Sequence, residues 1–236
     1  MFYYGFDLTY LIMVMPFVIL SIWASSNVNS TFKRYSKVYS RRGLTGAQAA
    51  EQVLKNNGVY NVRIERISGN LTDHFDPKAN VIRLSDNVYG NTSAAAIGVA
   101  CHEAGHAVQY AQDYAPIKLR AAIIPVTNIG SMLAMPLIVL GLVLNFMTEF
   151  SYTFVYIGIG CFGLSLLFQL ITLPVEFNAS HRAVSAISGA GLLDGQELDG
   201  AKKTLRAAAL TYVAAAAVSL MQLLRLILIF GGRRDD

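Results

Sequence analysis

Residues 99–110 read VACHEAGHAVQY and contain the pattern H-E-x-x-H at 102–106. The apolar flanks predict a helix over about 93–112, on which His102 and His106 lie one turn apart on the same face. Two imidazoles at this spacing can bind one Zn²⁺, which lowers the pKa of a bound water to about 7. Glu103 lies between them, where it can act as the general base of a metal-assisted hydrolysis. The pattern therefore indicates a zincin-type catalytic helix.

The same five residues have a purely structural explanation, namely two hydrogen-bonded histidines and an acid on a core helix. Chance alone gives the pattern in roughly one chain in a hundred of this length. An unpaired glutamate such as Glu103 is almost never fully buried, however. The small residues Ala104 and Gly105 would also permit close packing beside a metal. We therefore prefer the zinc site.

A catalytic zinc needs a third protein ligand and one open position. The metzincin extension of the motif is absent, because Gln109 and Gln112 occupy its glycine and histidine positions. Glu176 lies in LPVEFNASHRAV, where Pro174 is expected to begin a new helix with Glu176 in its first turn. Glu176 is the preferred third ligand. The alternative is an acid that only stabilises a helix N-terminus through the macrodipole.

His74 and His181 are the competing ligands. His181 lies five residues after Glu176, so on one helix it would point away from Glu176. His74, His181 and Arg182 are also candidates for the substrate cleft, where His181 or Arg182 would stabilise an oxyanion. A solvated face is an equally good explanation for His181 and Arg182. Cys101 faces away from both motif histidines and is expected to be a packing residue.

The whole chain is strongly apolar: of 236 residues, 54% are apolar and 14% charged, whereas soluble domains carry about 25% charged residues. This composition excludes a disordered chain and a protein that coats nucleic acid. Four apolar blocks, at 8–26, 121–146, 152–173 and 207–230, are long enough to span a membrane. The first is preceded by MFYYGFD, without Lys or Arg, and is expected to be an uncleaved anchor. Arg225, inside the fourth block, either has a function or extends to the membrane surface.

Basic residues predict the orientation of these spans. Five basic residues and no acidic residue follow the first span at 33–42. Several more basic residues lie in 174–206, whereas the 145–151 segment contains no basic residue. The positive-inside rule then places 27–120 and 174–206 in the cytoplasm and both termini outside. Arg233 and Arg234 fit this orientation poorly.

The polar insert at 27–120 is expected to be a small α/β module. Residues 45–58 predict a helix with Thr45 as N-cap and Gly58 as its stop. Residues 62–68 and 80–85 predict strands, and GNLTDHFDPKAN between them predicts a loop. The expected fold is mainly α, with about four transmembrane helices and a small α/β cytoplasmic insert that carries the HExxH helix. All of this forms a single domain over 1–236, with the third ligand in 174–206.

The segments LTDHFDP, VIRLS, VACHEAGHA and LPVEFNAS, together with the order of spans, resemble the YugP-like neutral zinc metallopeptidases of bacterial membranes. The resemblance covers nearly the whole chain, and it extends more distantly to HtpX and the CAAX-prenyl endopeptidases. It implies His102, His106 and Glu176 as ligands of one Zn²⁺ per chain and Glu103 as the base. The distant relatives carry an acid four residues after the ligand Glu, where this chain has Ser180, so the role of that acid is in doubt here.

The resemblance also implies that an edge strand beside the catalytic helix pairs with an extended substrate by β-augmentation. NVIRLS, residues 80–85, is the candidate strand, and DHFD before it would approach the cleft; the alternative is that NVIRLS is a central strand. The expected protein is a multi-pass enzyme of the bacterial inner (cytoplasmic) membrane, with its site facing the cytoplasm.

The preferred function is that of a membrane-embedded zinc endopeptidase whose partners are the lipid bilayer and a protein or peptide substrate. The alternative is a catalytically inactive, zinc-binding membrane scaffold. The intact Glu103 argues against a scaffold, because a structural zinc site needs no base. A transporter is disfavoured because the spans contain almost no acids.

Overall fold

The computed structural model describes residues 8–144 and 151–231, and this part of the chain is mainly helical with one three-stranded sheet. Its elements, in chain order, are α1 Leu8–Met13, α2 Met15–Tyr35, α3 Gly46–Asn56, β1 Arg63–Ile67, β2 His74–Asp76, β3 Val81–Ser85, α4 Asp86–Tyr89, α5 Ala94–Ala111, α6 Ala115–Leu144, α7 Ser151–Gly189 and α8 Gly195–Gly231.

The chain divides into two compact units. The first, which we call the apolar unit, combines Met1–Trp23, Leu119–Thr172 and Tyr212–Asp236. The second, the polar unit, combines Ala24–Lys118 and Leu173–Thr211. Each unit is therefore assembled from segments that are distant in the sequence.

Three helices of the described residues, α6, α7 and α8, are long and apolar enough to cross a membrane. They include the predicted spans at 152–173 and 207–230 and most of the one at 121–146, whose residues 145 and 146 lie outside the described part. Pro125 and Pro136 lie inside α6, as expected for a membrane helix. The second, third and fourth predicted spans therefore correspond to helices of the structure, although α7 and α8 extend well beyond the predicted bounds.

The expected span at 8–26 is divided between α1 and α2, and neither of them is long and apolar enough by the same measure. The helix breaks at Val14, next to Pro16 in the first turn of α2, where a missing N–H is tolerated. α2 continues to Tyr35 through polar residues whose side chains bond to its backbone. Asn29 Nδ2, for example, donates to the Ser25 carbonyl at 3.2 Å.

Close packing at glycines joins α6 and α7 within the apolar unit. A Cβ atom on Gly158 would lie 2.8 Å from the Ala134 carbonyl oxygen, and one on Gly141 would lie 2.7 Å from the Ser151 carbonyl oxygen. Small residues allow such approaches between membrane helices. A Cβ atom on Gly160 or Gly163 would meet no described atom within 4 Å. Of the three glycines in this part of α7, Gly158 alone therefore lies at a close contact between described residues of the two helices.

The prediction that Pro174 begins a new helix is wrong, because α7 runs without interruption from Ser151 to Gly189 with Pro174 inside it. Proline removes one backbone hydrogen bond and crowds the preceding turn. Helices that pack against neighbours tolerate this loss. Glu176 consequently lies in the middle of a long helix and not in a first turn.

The polar unit is built around α5 and a small sheet. α3 begins with the predicted N-cap, because Thr45 accepts a hydrogen bond from the Gln48 N–H while the Gln48 side chain accepts one from the Thr45 N–H. The two predicted strands correspond to β1 and β3. The side chains of Ile82 and Leu84 on β3 are completely buried and face the core.

The sheet has the order β1-β3-β2, with β1 parallel and β2 antiparallel to β3. The segment NVIRLS was expected to be an edge strand, with a central strand as the alternative. The structure shows the alternative, because β3 lies between β1 and β2. The segment predicted to be a loop contains β2, His74–Asp76, at the edge of the sheet. The Phe75 ring packs edge-on against Tyr110 of α5, with centroids 6.1 Å apart, so β2 is the edge strand that contacts the HExxH helix.

Candidate metal centre

Helix α5 carries the H-E-x-x-H motif through the centre of the polar unit. It begins at the N-cap Ser93, whose Oγ accepts from the Ala96 N–H. Small side chains on all its faces allow dense packing. Ala100, Cys101, Ala104 and Ala107, among others, are buried. The predicted helix and its boundaries are thereby confirmed, and the motif lies on a helix fixed from several sides.

The two motif histidines and Glu176 converge on one point. Glu176 Oε2, on α7, lies 3.2 Å from His102 Nε2 and 3.5 Å from His106 Nε2. The imidazole rings are nearly perpendicular, with centroids 4.6 Å apart. Glu176 is 2% exposed, so a buried carboxylate faces two imidazole nitrogens.

This donor set fits a zinc ion. Ligand atoms about 2.0–2.1 Å from a tetrahedral zinc lie about 3.3 Å from one another, close to the two separations between Glu176 and the histidines. Potential ligand atoms of all three residues lie within 4.8 Å of each other, and they form the one such cluster among the described residues. Two histidines and one carboxylate leave a fourth position open, as catalytic zinc sites require.

The Nδ1 atom of each motif histidine has its own partner. Ser180 Oγ lies 3.1 Å from His102 Nδ1, and Gln109 Oε1 lies 3.0 Å from His106 Nδ1. Metal-binding histidines characteristically make such contacts through the nitrogen that does not bind the metal. Ser180, the position that departs from the distant relatives, is therefore in contact with His102.

Glu103 lies on α5 between the histidines and is 8% exposed. No hydrogen bond from a described residue reaches its carboxylate. Its negative charge acts on two neighbours: it raises the pKa of His106 and that of Asp73. A carboxylate left free beside the histidines is available to bind a water molecule and exchange a proton with it.

Asp73 lies just before β2 and is joined to the end of β3. Its carboxylate accepts from the Ser85 N–H at 2.7 Å and from Ser85 Oγ at 3.0 Å. Burial, aided by the charge of Glu103, raises the pKa of Asp73 against the effect of these hydrogen bonds. Asp73 thus joins the start of β2 to the end of β3 within reach of the charge of Glu103, a role that was not expected from the sequence.

The histidines and Glu176 also change each other's proton affinity. Burial alone would raise the pKa of Glu176, but hydrogen bonds from His102 and His106 hold it far below its usual value. Burial alone would lower the pKa of His106, but Glu176 and Glu103 raise it. In the metal-free protein the cluster therefore favours an ionised carboxylate beside a protonated imidazole.

The remaining candidate residues lie outside this cluster. His74 is exposed on β2, where its ring contacts the Thr72 carbonyl and lies near Arg83. His181 is exposed on α7. Arg182 donates to Asn178 Oδ1 and to Gln112 Oε1. Roles for these three in substrate or oxyanion binding remain predictions.

Burial in the core raises the pKa of the Cys101 thiol, which agrees with its expected packing role.

In the apolar unit, the Arg225 guanidinium lies 5.4 Å from the centre of the Tyr10 ring. Neither residue contributes to the histidine–glutamate cluster.

Comparison with known proteins relates the chain to zinc peptidases. A family model described as "Putative neutral zinc metallopeptidase" matches residues 10–231. The "Putative membrane protease YugP" of Bacillus subtilis (strain 168) is 48% identical over 217 residues, which are 92% of this chain and 94% of the relative. No solved structure matches the chain. The residues matched by the family model include the HExxH motif and Glu176.

Proposed function

The chain belongs to the family described as "Putative neutral zinc metallopeptidase", and from this premise we propose that it is a membrane-embedded, zinc-dependent endopeptidase. The observation that carries the proposal is the convergence of His102 Nε2, His106 Nε2 and Glu176 Oε2 in the polar unit. These three residues would hold one zinc ion per chain. A bound zinc ion would supply Lewis-acid chemistry for polarising water and the scissile carbonyl group.

Glu103 is the general base of the proposed reaction. Its carboxylate accepts a proton from the attacking water and delivers it to the departing amide nitrogen. Its burial on the HExxH helix and the lack of a hydrogen bond from any described residue support this role. The inactive scaffold is the alternative, and it requires no proton acceptor at this position.

The proposed substrate is a protein or peptide in an extended conformation, bound as an added strand. β2 is the edge strand beside α5 and would take the place that the sequence analysis gave to NVIRLS. An unpaired strand edge offers backbone donors and acceptors to such a peptide. Asp73, held by Ser85, fixes the end of β2 that lies close to Glu103.

We further propose a multi-pass protein of the bacterial inner membrane with its site facing the cytoplasm. The layout as a single metallopeptidase domain with four spans at 8–26, 121–146, 152–173 and 207–230 belongs to the same proposal. Support comes from the membrane protease named among its relatives and from the three long apolar helices. The bases that follow the first apolar block support the orientation.

Substitution of Glu103 by Gln tests the proposal. The variant retains the shape of the side chain and loses the proton acceptor, so casein hydrolysis should fall by about 10²–10⁴-fold, while the zinc content stays at the wild-type level. Glu51→Gln, an exposed substitution of the same kind on α3, is the control. Near wild-type hydrolysis by Glu103→Gln would exclude Glu103 as the base. A wild type that binds zinc without cleaving any tested protein would favour the scaffold.

A further inference from the structure

Gln109 is completely buried one turn after His106 on α5. A buried amide without partners costs about 1–3 kcal/mol, so its contacts are informative. Its Nε2 donates to the Val175 carbonyl at 2.8 Å and to Asn178 Oδ1 at 2.9 Å. Its Oε1 lies 3.0 Å from His106 Nδ1. One glutamine side chain therefore connects the HExxH helix to the turn of α7 that carries Glu176.

These contacts fix which way the amide points. A backbone carbonyl only accepts, so the group of Gln109 that faces Val175 has to be the NH₂ group. The carbonyl oxygen of Gln109 then faces His106. Because that oxygen also only accepts, His106 has to carry a proton on Nδ1.

Asn178 is fixed by the same reasoning. Its Oδ1 accepts from Gln109 Nε2 and, at 2.7 Å, from Arg182 Nε. Arg182 also donates to Gln112 Oε1 at 2.6 Å and lies over the Tyr114 ring. Each donor in this series faces an acceptor, so the orientation of the Gln109 amide is determined by groups on both helices.

His102 has a partner of a different kind. The hydroxyl group of Ser180, 3.1 Å from His102 Nδ1, can both donate and accept. It therefore permits a proton on either nitrogen of His102. Of the two motif histidines, His106 alone has a partner that permits a single neutral tautomer.

We propose that Gln109 is a positioning residue of the metal site. Its amide holds His106 in the tautomer that keeps its proton on Nδ1 and leaves Nε2 available to bind the metal, and Asn178 and Arg182 hold the amide. The proposal rests on the proposed function only in taking His106 as a metal ligand. Loss of such a partner typically weakens metal binding by 10–100-fold.

Two substitutions separate this role from simple packing. Gln109→Met keeps the length of the side chain and removes the acceptor for His106 Nδ1. Gln109→Glu keeps an acceptor and removes the donors to Val175 and Asn178. Both should lower the unfolding temperature of the metal-free protein, but the zinc dissociation constant should rise about 10–100-fold in Gln109→Met and stay much closer to that of the wild type in Gln109→Glu.

Zinc affinity is measured by competition with a chromophoric chelator. Gln52→Met, an exposed substitution on α3, is the matched control and should bind like the wild type. The proposal is overturned if Gln109→Met binds within about twofold of the wild type, or if Gln109→Glu loses as much affinity as Gln109→Met. The second result would mean that affinity follows stability and that Gln109 only packs.

If neither variant is recovered folded, ¹⁵N NMR of the zinc-loaded wild type decides. The chain has four histidines, so His74→Ala and His181→Ala leave only the two motif residues to assign. A proton on His106 Nδ1 supports the proposal, and an unprotonated Nδ1 refutes it. Neither measurement depends on proteolysis, so an inactive wild type would contradict the proposed function and leave this inference standing.

Discussion

Gly105 on α5 faces the backbone carbonyl of Ala179 on α7 so closely that a Cβ atom on Gly105 would lie 2.7 Å from the Ala179 oxygen. Gly105 lies between His102 and His106 in the motif, and Ala179 lies three residues after Glu176 on α7. The helices can approach each other here because glycine has no side chain. The residue immediately before His106 therefore controls the separation of the two helices that form the cluster.

Gly105→Ala should push α5 and α7 apart. Overpacking of this kind costs about 1–3 kcal/mol, and the histidines would move away from Glu176, so both the unfolding temperature and the zinc affinity should fall. Gly189→Ala, on α7 where an added Cβ meets no described atom within 4 Å, is the control and should leave both unchanged or slightly improved. Wild-type zinc affinity in Gly105→Ala would show that the close approach is not needed.

Glu176→Ala should lower zinc affinity sharply, because two imidazoles alone leave the ion with too few ligands. His181→Ala should bind zinc almost normally, since His181 is exposed and outside the cluster. The zinc content of both purified variants tests this prediction. A zinc-replete Glu176→Ala beside a zinc-free His181→Ala would make His181 the third ligand.

Zinc binding should release protons in a pH-dependent manner. Burial alone would lower the pKa of His106, but Glu176 and Glu103 raise it above its usual value. Protonated His106 therefore stabilises the metal-free fold at low pH. This stabilisation is lost as the pH rises through the pKa of His106. Zinc binds His106 only when its Nε2 carries no proton. Affinity should thus rise about tenfold per pH unit below the pKa of His106 and level off above it.

Calorimetric titration in two buffers of different ionisation enthalpy counts the protons released between about pH 6 and 8. Glu176 does not contribute in this range, because its pKa is held below the usual value and it stays ionised throughout. Zinc affinity that is constant over the range, with no proton released, would contradict the raised pKa of His106.

A cysteine placed at Asn70, an exposed position in the polar unit, should react with membrane-impermeant reagents only from the cytoplasmic side. The measurement uses Asn70→Cys in a background that carries Cys101→Ala and Cys161→Ala. Thr148→Cys lies in the 145–151 segment between the second and third spans, which this orientation places outside, so it should label in intact cells. Labelling of Asn70→Cys from outside would reverse the proposed orientation.

Local signals in the sequence predicted most of the polar unit. The N-cap at Thr45 and the apolar run around the HExxH motif depend on neighbours within a few residues, and both helices have the expected bounds within about two residues. Glu176 could be found because few acids were available to complete the cluster. These features required no knowledge of how helices pack.

The errors arise where packing between segments decides the structure. Pro174 was expected to begin a helix, but α7 continues through it, and an internal proline is tolerated where neighbouring groups satisfy the freed carbonyl. β2 lies in a segment rich in turn residues and forms because β3 offers it a partner. The sequence shows only that Gln109 follows His106 by one helical turn. Its proposed role depends on the hydrogen bond to the Val175 carbonyl of α7, and the sequence does not reveal where that carbonyl lies.

The shortness of β2 limits how the proposed enzyme can select its substrates. Three residues at a strand edge offer an added peptide only a few backbone hydrogen bonds, each worth about 0.5–1.5 kcal/mol. Contacts of this strength correspond to dissociation constants near the millimolar range. A freely diffusing peptide would rarely occupy such an edge, whereas a protein confined to the same bilayer experiences a high effective concentration. Shared residence in the membrane would then contribute more to selection than the sequence at the cleaved bond.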